Sequence, residues 1–150
     1  MFIGVTELTL DAKGRLAIPT KYRDAIQRIC NGQMVVTLDA DECLLLYPLP
    51  VWEEVAQMLV RLPNMERGSR STQRNTLGAA TESELDASGR VLIPAPLREF
   101  AKIERDVVFT GLGKKFEIWD AARWKSQRDE WLVAAKSGAP VPPELRSLSL

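Results

Sequence analysis

Apolar and polar residues follow one another along this chain in an order that occurs twice. Val5 to Leu10 alternates, with Leu8 and Leu10 on one side, which is the period of a half-buried strand. The run stops at the turn sequence Asp11-Ala12-Lys13-Gly14, and Arg15 to Ile18 reads as the return strand. Pro19 ends it, because proline keeps Ile18 extended and is itself preset for a helix start. The following helix carries Tyr22, Ala25, Ile26 and Ile29 as an i, i+3, i+4, i+7 stripe and stops at Asn31-Gly32. Met34 to Leu38 and Cys43 to Tyr47 then read as strands around Asp39-Ala40-Asp41-Glu42, with Pro48 and Pro50 at the exit.

The second half uses the same grammar. A strand precedes Asp86, another runs from Arg90 to Ile93, and Pro94 opens a helix burying Leu97, Phe100 and Ala101. Pro96 fits there because first-turn amides have no partner within the helix. Val107 to Thr110 and Phe116 to Trp119 flank Gly111-Leu112-Gly113-Lys114. Each unit is followed by an amphipathic helix. Trp52, Val55, Leu59 and Leu62 share one face of the first, and Trp124, Trp131 and Ala135 one face of the second; such stripes belong to a core or to a protomer contact.

The duplication extends to identity. Residues 11 to 26 and 86 to 101, 75 positions apart, agree at seven of sixteen places, which marks one surface presented twice. The expected organisation is a first repeat at 5–50, a helix and basic linker at 51–77, a second repeat at 79–122, and a C-terminal helix and tail at 123–150. The linker holds Arg61, Arg67, Arg70 and Arg74 against Glu66. It reads either as a solvated connection with helical ends or as a basic patch that helps grip phosphate. The tail from Ser137, with Gly138, Pro140, Pro142 and Pro143, reads as loose, with Leu145, Leu148 and Leu150 available for docking.

Composition narrows the chemistry. Twenty basic and twenty acidic residues cancel and histidine is absent, which removes the commonest general base and metal ligand. Cys30 and Cys43 match no zinc or redox spacing and read as small apolar filler in a reducing cytoplasm. No cofactor or metal is expected. The first residues lack the regions of a signal peptide and no long apolar run occurs, so a soluble, unexported protein without a membrane partner is expected. Half a chain this size sits near the limit of independent stability, so each half should need the other.

The turns carry the candidate chemistry. If Leu16 and Ile18 face the core, Arg15 points outward at the very start of its strand. Gly14 supplies a positive-φ backbone, and Asp11 is placed to accept turn amides or to hold the guanidinium. Asp86, Gly89 and Arg90 repeat the arrangement. Arginine pairs two-pronged with guanine edges or phosphate, which lysine cannot imitate. Lys13, Lys21 and Arg23 surround the first turn; the second has Ser88, Pro96 and Leu97 where the first has Lys13, Lys21 and Tyr22, although Arg98 matches Arg23. The candidate DNA-binding set is therefore Asp11, Lys13, Gly14, Arg15, Lys21, Arg23, Asp86, Gly89, Arg90 and Arg98, with the N-terminal copy dominant.

An Asp-x-x-Gly-Arg turn, an extended segment ending in Ile-Pro, a short Arg-bearing helix and two strands resembles the AbrB-like swapped-hairpin DNA-binding domain. Two such units, with Met-Phe-Ile-Gly at the start, Leu44 to Trp52 and Lys115 to Asp120, resemble the MraZ family of bacterial transcriptional regulators over nearly the whole length. The resemblance implies an α+β fold: a duplicated swapped-hairpin (double-split β-α-β) barrel with flanking amphipathic helices, two interlocking halves coming from one chain. It also implies ring-like homo-oligomers, a nucleoid-associated cytoplasmic location, and double-stranded DNA with direct repeats upstream of the division and cell-wall gene cluster as partner.

The reading is a non-enzymatic, sequence-specific transcription factor. Residues 11 to 28 hold Lys13, Arg15, Lys21, Arg23 and Arg28 against Asp11 and Asp24, a local basic excess within a neutral chain. The alternatives are a protein-binding or ring-assembly module without DNA contact, an antitoxin-like regulator whose tail captures a toxin, and an enzyme built on Asp39, Asp41 and Glu42.

Overall fold

The computed structural model describes residues 1–138 and 140–148. Strands β1 (Phe2–Thr9) and β2 (Arg15–Ala17) precede helix α1 (Thr20–Cys30), the hairpin β3 (Gln33–Leu38) and β4 (Leu44–Pro48), and helix α2 (Leu49–Val60). After α3 (Arg67–Thr72) the order recurs as β5 (Thr81–Glu84), β6 (Arg90–Leu92), α4 (Ala95–Phe100), β7 (Asp106–Gly113), β8 (Phe116–Asp120) and α5 (Ala121–Lys136), followed by the single turn α6 (Pro143–Arg146). Pro19 and Pro94 stand just before α1 and α4 in extended backbone, so each ends a strand and frames the next helix.

The two halves exchange strands. All pairing is antiparallel, in a six-stranded sheet of order β1-β7-β8-β4-β3-β5 and a separate ribbon of β2 with β6. β1 lies on the second repeat's hairpin, from Phe2 opposite Gly113 to Thr9 opposite Asp106, and β5 lies on the first repeat's β3. The segment from Arg15 is accordingly not a return strand on β1. It pairs with β6, Leu16 opposite Val91, and reciprocal bonds from the Ile18 amide to the Gly89 carbonyl and the Ile93 amide to the Gly14 carbonyl lengthen the ribbon. Leu16, Ile18, Val91 and Ile93 are all fully buried there, each worth about 1.5–3 kcal/mol of transfer free energy. That gain outweighs the shorter loop of a local hairpin. The α+β, swapped-hairpin architecture is present, but the large sheet stays open: the three-residue ribbon strands lie beside β1 and β5 without closing them into a barrel.

One core serves both repeats. Leu16, Tyr22, Ile26 and Leu46 from the first pack with Val91, Leu97, Phe109 and Phe116 from the second. The α1 stripe divides: Tyr22 and Ile26 enter the core with Ala25 packed against it, while Ile29, exposed, lines a concavity with Ala25, Pro48, Pro50 and Val51. In α4 Leu97 and Ala101 are buried and Phe100 half-buried.

The outer sheet face is covered by helices. α2 lays Trp52 on Tyr47 with Val55 and Leu59 beside it. The linker is more ordered than its composition suggests, for α3 runs on into a π-helical turn at Gln73–Leu77. Gln73 donates to the Leu59 carbonyl at the end of α2, which also accepts from the Leu62 amide, and the Thr76 hydroxyl donates to the Leu38 carbonyl. Arg70 is spent on the Asn64 and Met65 carbonyls. Trp124, like Trp52 the fourth residue of its helix, meets Trp119, and Trp131 packs edge-to-face on both of them while staying 41% exposed; the expected stripe ends there, for Ala135 is exposed. α5 outruns the small patch of Cys43, Val108 and Trp119 beneath it. In the tail Leu145 and Leu148 are exposed rather than docked, and Leu150 lies outside the described residues.

Candidate nucleic-acid interface

Both turns close by the same bonds. The Asp11 amide donates to the Arg15 carbonyl and the Gly14 amide to the Asp11 carbonyl; Asp86, Arg90 and Gly89 repeat the pattern. One Asp11 carboxylate oxygen accepts from the Lys13 and Arg15 amides at 2.9 Å, and one Asp86 oxygen from the Ser88 and Arg90 amides at 2.9 and 3.0 Å. The second carboxylate oxygen takes the arginine Nε, at 2.7 Å for Arg15 and 2.9 Å for Arg90. Each guanidinium is thus held by one edge. Among the described residues neither arginine donates a hydrogen bond through its terminal Nη groups, and both side chains are half-buried. The Arg15 amide, with its guanidinium and the Lys13 amide, draws the Asp11 carboxyl from 3.8 down to about 2 against an opposing effect of desolvation. The Arg90 amide lowers Asp86 in the same way.

The two turns are not equivalent. Arg90 Nη1 also stands 3.7 Å from the Asp11 carboxylate, while among the described residues Arg15 forms no such bridge to Asp86. Arg90 is thereby partly neutralised and Arg15 is the freer cation. Lys13 is exposed on the first turn where Ser88 stands on the second.

The remaining candidates separate. Gly14 and Gly89 have φ of +82° and +76° and are buried, so they shape the turns from beneath instead of facing outward. Arg23 donates its Nε to the Ile18 carbonyl at 2.7 Å and Arg98 its Nε to the Ile93 carbonyl at 3.0 Å. Both are half-buried, reaching from α1 and α4 onto the turns beside the ribbon. Lys21 does not join them: its Nζ sits over the Tyr22 ring beside Gly4, and the strand from Gly4 to Thr9 spans about 17 Å.

One feature, a contact between the repeats, has no local signal in the sequence. Arg98, Glu104 and Arg105 line a polar concavity with Leu10, Asp11 and Ala12, joined by the Leu10 amide to the Arg105 carbonyl, because β1 is paired with the other repeat. The β3–β4 turn shares most of the bonding of the other two, with the Cys43 thiol 3.9 Å from the Asp39 carboxylate where they have a guanidinium. The Asp39 amide donates to the Cys43 carbonyl, the Glu42 amide to the Asp39 carbonyl and the Asp41 amide to the Asp39 carboxylate, with Glu42 at φ +60° in the glycine's place and Cys43 in the arginine's. An aspartate turn of this kind therefore closes without arginine.

Cys43 fills the apolar patch with Val108 and Trp119, as a buried small residue should. Its thiol, fully buried, lies 3.9 Å from the Asp39 carboxylate, and Asp39, Cys43 and Glu117 bring ligand-type atoms within 4.8 Å of one another. Burial, reinforced by the Glu117 and Asp39 charges, pushes the thiol far up and keeps it protonated. Glu117 is itself raised by burial and accepts from the Trp119 indole at 2.9 Å.

Fold and site together define a duplicated α+β swapped-hairpin protein that presents paired Asp–Arg turns on a ribbon shared by its repeats. A model of the MraZ protein family, described as antitoxin-like, matches residues 1–75 and 76–137. The chain belongs to the MraZ family. It is 49% identical over 150 residues to a protein of Thioalkalivibrio sulfidiphilus named Transcriptional regulator MraZ, with all of both chains covered. Proteins of the same name from Nitrosomonas europaea, 49% identical over 150 residues, and Halorhodospira halophila, 47% identical over 152, are likewise covered in full. No helix among the described residues is long and apolar enough to cross a membrane.

Proposed function

We propose that this chain is a DNA-binding transcriptional regulator that reads double-stranded DNA through Arg15 and Arg90. The observation that carries the reading is the held guanidinium: Asp11 and Asp86 each bind one Nε, which leaves the Nη pair of Arg15 free for a guanine edge or a phosphate and that of Arg90 only partly engaged by Asp11. The Asp39 turn strengthens it, since the same turn forms with Cys43 in that position. An arginine that the turn does not require is an arginine available for something else. Lys13 adds phosphate contact at the first turn, and Gly14 and Gly89 give both turns their shape. Arg23 and Arg98 support the turns, and Lys21 adds charge at longer range. The name carried by the full-length relatives agrees with this reading.

The finer parts rest on the family resemblance. The target is direct repeats upstream of the division and cell-wall gene cluster, the location is the cytoplasmic nucleoid, and the binding form is a ring-like homo-oligomer that lets several modest sites act together. Weak modules on matched repeats gain roughly 10²- to 10⁴-fold in avidity. Exposed Trp131, Leu132 and Val133 on α5 supply apolar surface for such an assembly. The expected division of labour follows the repeats proposed at 5–50 and 79–122, with 51–77 and 123–150 as helical flanks.

The test is a salt titration on a duplex bearing the repeats. Affinity is expected to fall steeply, with a log-log slope of about −0.9 per phosphate contacted. A flat response would count against DNA as the partner.

A further inference from the structure

The helix arginines are arranged crosswise. Arg98, from the second repeat, lies against Gly14 of the first, where an added Cβ would stand 2.8 Å from the guanidinium carbon. Arg23, from the first repeat, lies against Gly89 of the second, where an added Cβ would meet the guanidinium carbon at 2.6 Å. Neither arginine can slide away freely, because each Nε is tied to the last carbonyl of its own repeat's ribbon strand, Ile18 or Ile93. Those strands are bonded to the opposite turn through the Ile18 amide on Gly89 and the Ile93 amide on Gly14. A flat cation therefore roofs each buried glycine from across the duplication.

From this we infer that Arg98 is a positioning residue for Arg15, and Arg23 for Arg90, so that each reading turn is a composite of both repeats. The inference rests on the DNA reading of the two turns and deepens it. Sequence alignment pairs Arg23 with the first turn and Arg98 with the second; the structure reverses that assignment. Bulk at Gly14 would force Arg98 off the turn, or the turn off the ribbon, and either movement redirects the Asp11–Arg15 pair. Gly14 also needs its left-handed backbone, a separate cost that any side chain pays whatever Arg98 does.

A crossed set of double-mutant cycles tests this in two readouts. In denaturant unfolding, Gly14→Ala should couple to Arg98→Ala, the clash being absent once the guanidinium is gone. The loss in folding constant should then be about tenfold smaller than in the parent, within the range for residues in contact. Gly89→Ala should couple to Arg23→Ala in the same way. The uncrossed pairs, Gly14 with Arg23 and Gly89 with Arg98, should be additive. Coupling in the uncrossed pairs, or in none, overturns the proposal.

The second readout is affinity for the repeat-bearing duplex at low ionic strength, where weakened variants still bind. A positioning role makes Arg98→Ala harmful in the parent and silent in the Arg15→Ala background, while Arg23→Ala is silent only in the Arg90→Ala background. Losses that add in every background show Arg98 and Arg23 to be direct contacts and overturn the positioning role. Crossed coupling in folding with DNA affinity unchanged in every variant, Arg15→Ala included, supports the crossed arrangement and overturns the DNA reading beneath it.

Discussion

Arg15 and Asp11 form the smallest unit on which the proposed function rests. The carboxylate collects two amides and one guanidinium edge, so its protonation and the aim of the arginine are linked. The sign follows from the direction of the shift. A carboxyl lowered from 3.8 to about 2 in the folded chain stabilises the turn fully above the unfolded value, and that contribution is lost as pH falls through about 2. Carbon-detected NMR should place the Asp11 midpoint near 2 and shift it toward the ordinary value in Arg15→Ala; an Asp11 midpoint near 4 in the parent would contradict the held geometry. Asp, Gly and Arg were legible in the sequence because the turn is local and occurs twice. The roofing of Gly14 by Arg98 was not, because nothing in the spacing of residues within one repeat encodes a contact with the other.

At the scale of elements, the stops were easier to read than the partners. Pro19, Pro94 and Asn31-Gly32 end strands and helices through their own backbone preferences, and they do so where expected. The alternation of Leu16 and Ile18 with Arg15 and Ala17 fixed which face is buried, but alternation is silent on which strand lies alongside. Hence the β2–β6 ribbon replaced an expected local hairpin. The helical end of the linker at 67–77 carries no apolar stripe, so its extent was not legible; the side-chain bonds of Gln73 and Thr76 hold it. The two helix tryptophans make the element-scale prediction. Trp52→Ala, buried on Tyr47, should cost about 3–5 kcal/mol in denaturant unfolding. Trp131→Ala should cost about 1 kcal/mol, the worth of its edge-to-face contacts, and should lower the assembly mass seen by light scattering. Equal folding costs would show that α5 is packed as α2 is.

For the whole molecule, duplication without separation is the governing fact. β1, β2 and β3 each have a partner from the other repeat, and the core is continuous across them. A fragment of residues 1–77 leaves all three without those partners. It should be unfolded, or should recover its missing strands from a second copy as a dimer; circular dichroism with sedimentation would show which. A folded 1–77 monomer would contradict the shared core. The same sharing explains why one chain can hold two Asp–Arg turns in fixed relation on a single ribbon.

The most direct measurement of the central claim is a gel-shift titration of Arg15→Ala, Arg90→Ala and Asp11→Ala against the parent, with a melting curve for each. Arg15 is half-exposed at the start of its strand, and the Asp39 turn closes with Cys43 in the corresponding place, so truncation should leave melting nearly unchanged. Loss of a two-pronged contact should cost about 1–3 kcal/mol at each engaged site, enough in an assembly on repeated sites to remove detectable binding at physiological salt. Arg90→Ala, already part-neutralised by Asp11, should weaken binding less, and Asp11→Ala should fall between the two. If Arg15→Ala binds like the parent, or melts far below it, the turn is structural and the DNA reading fails.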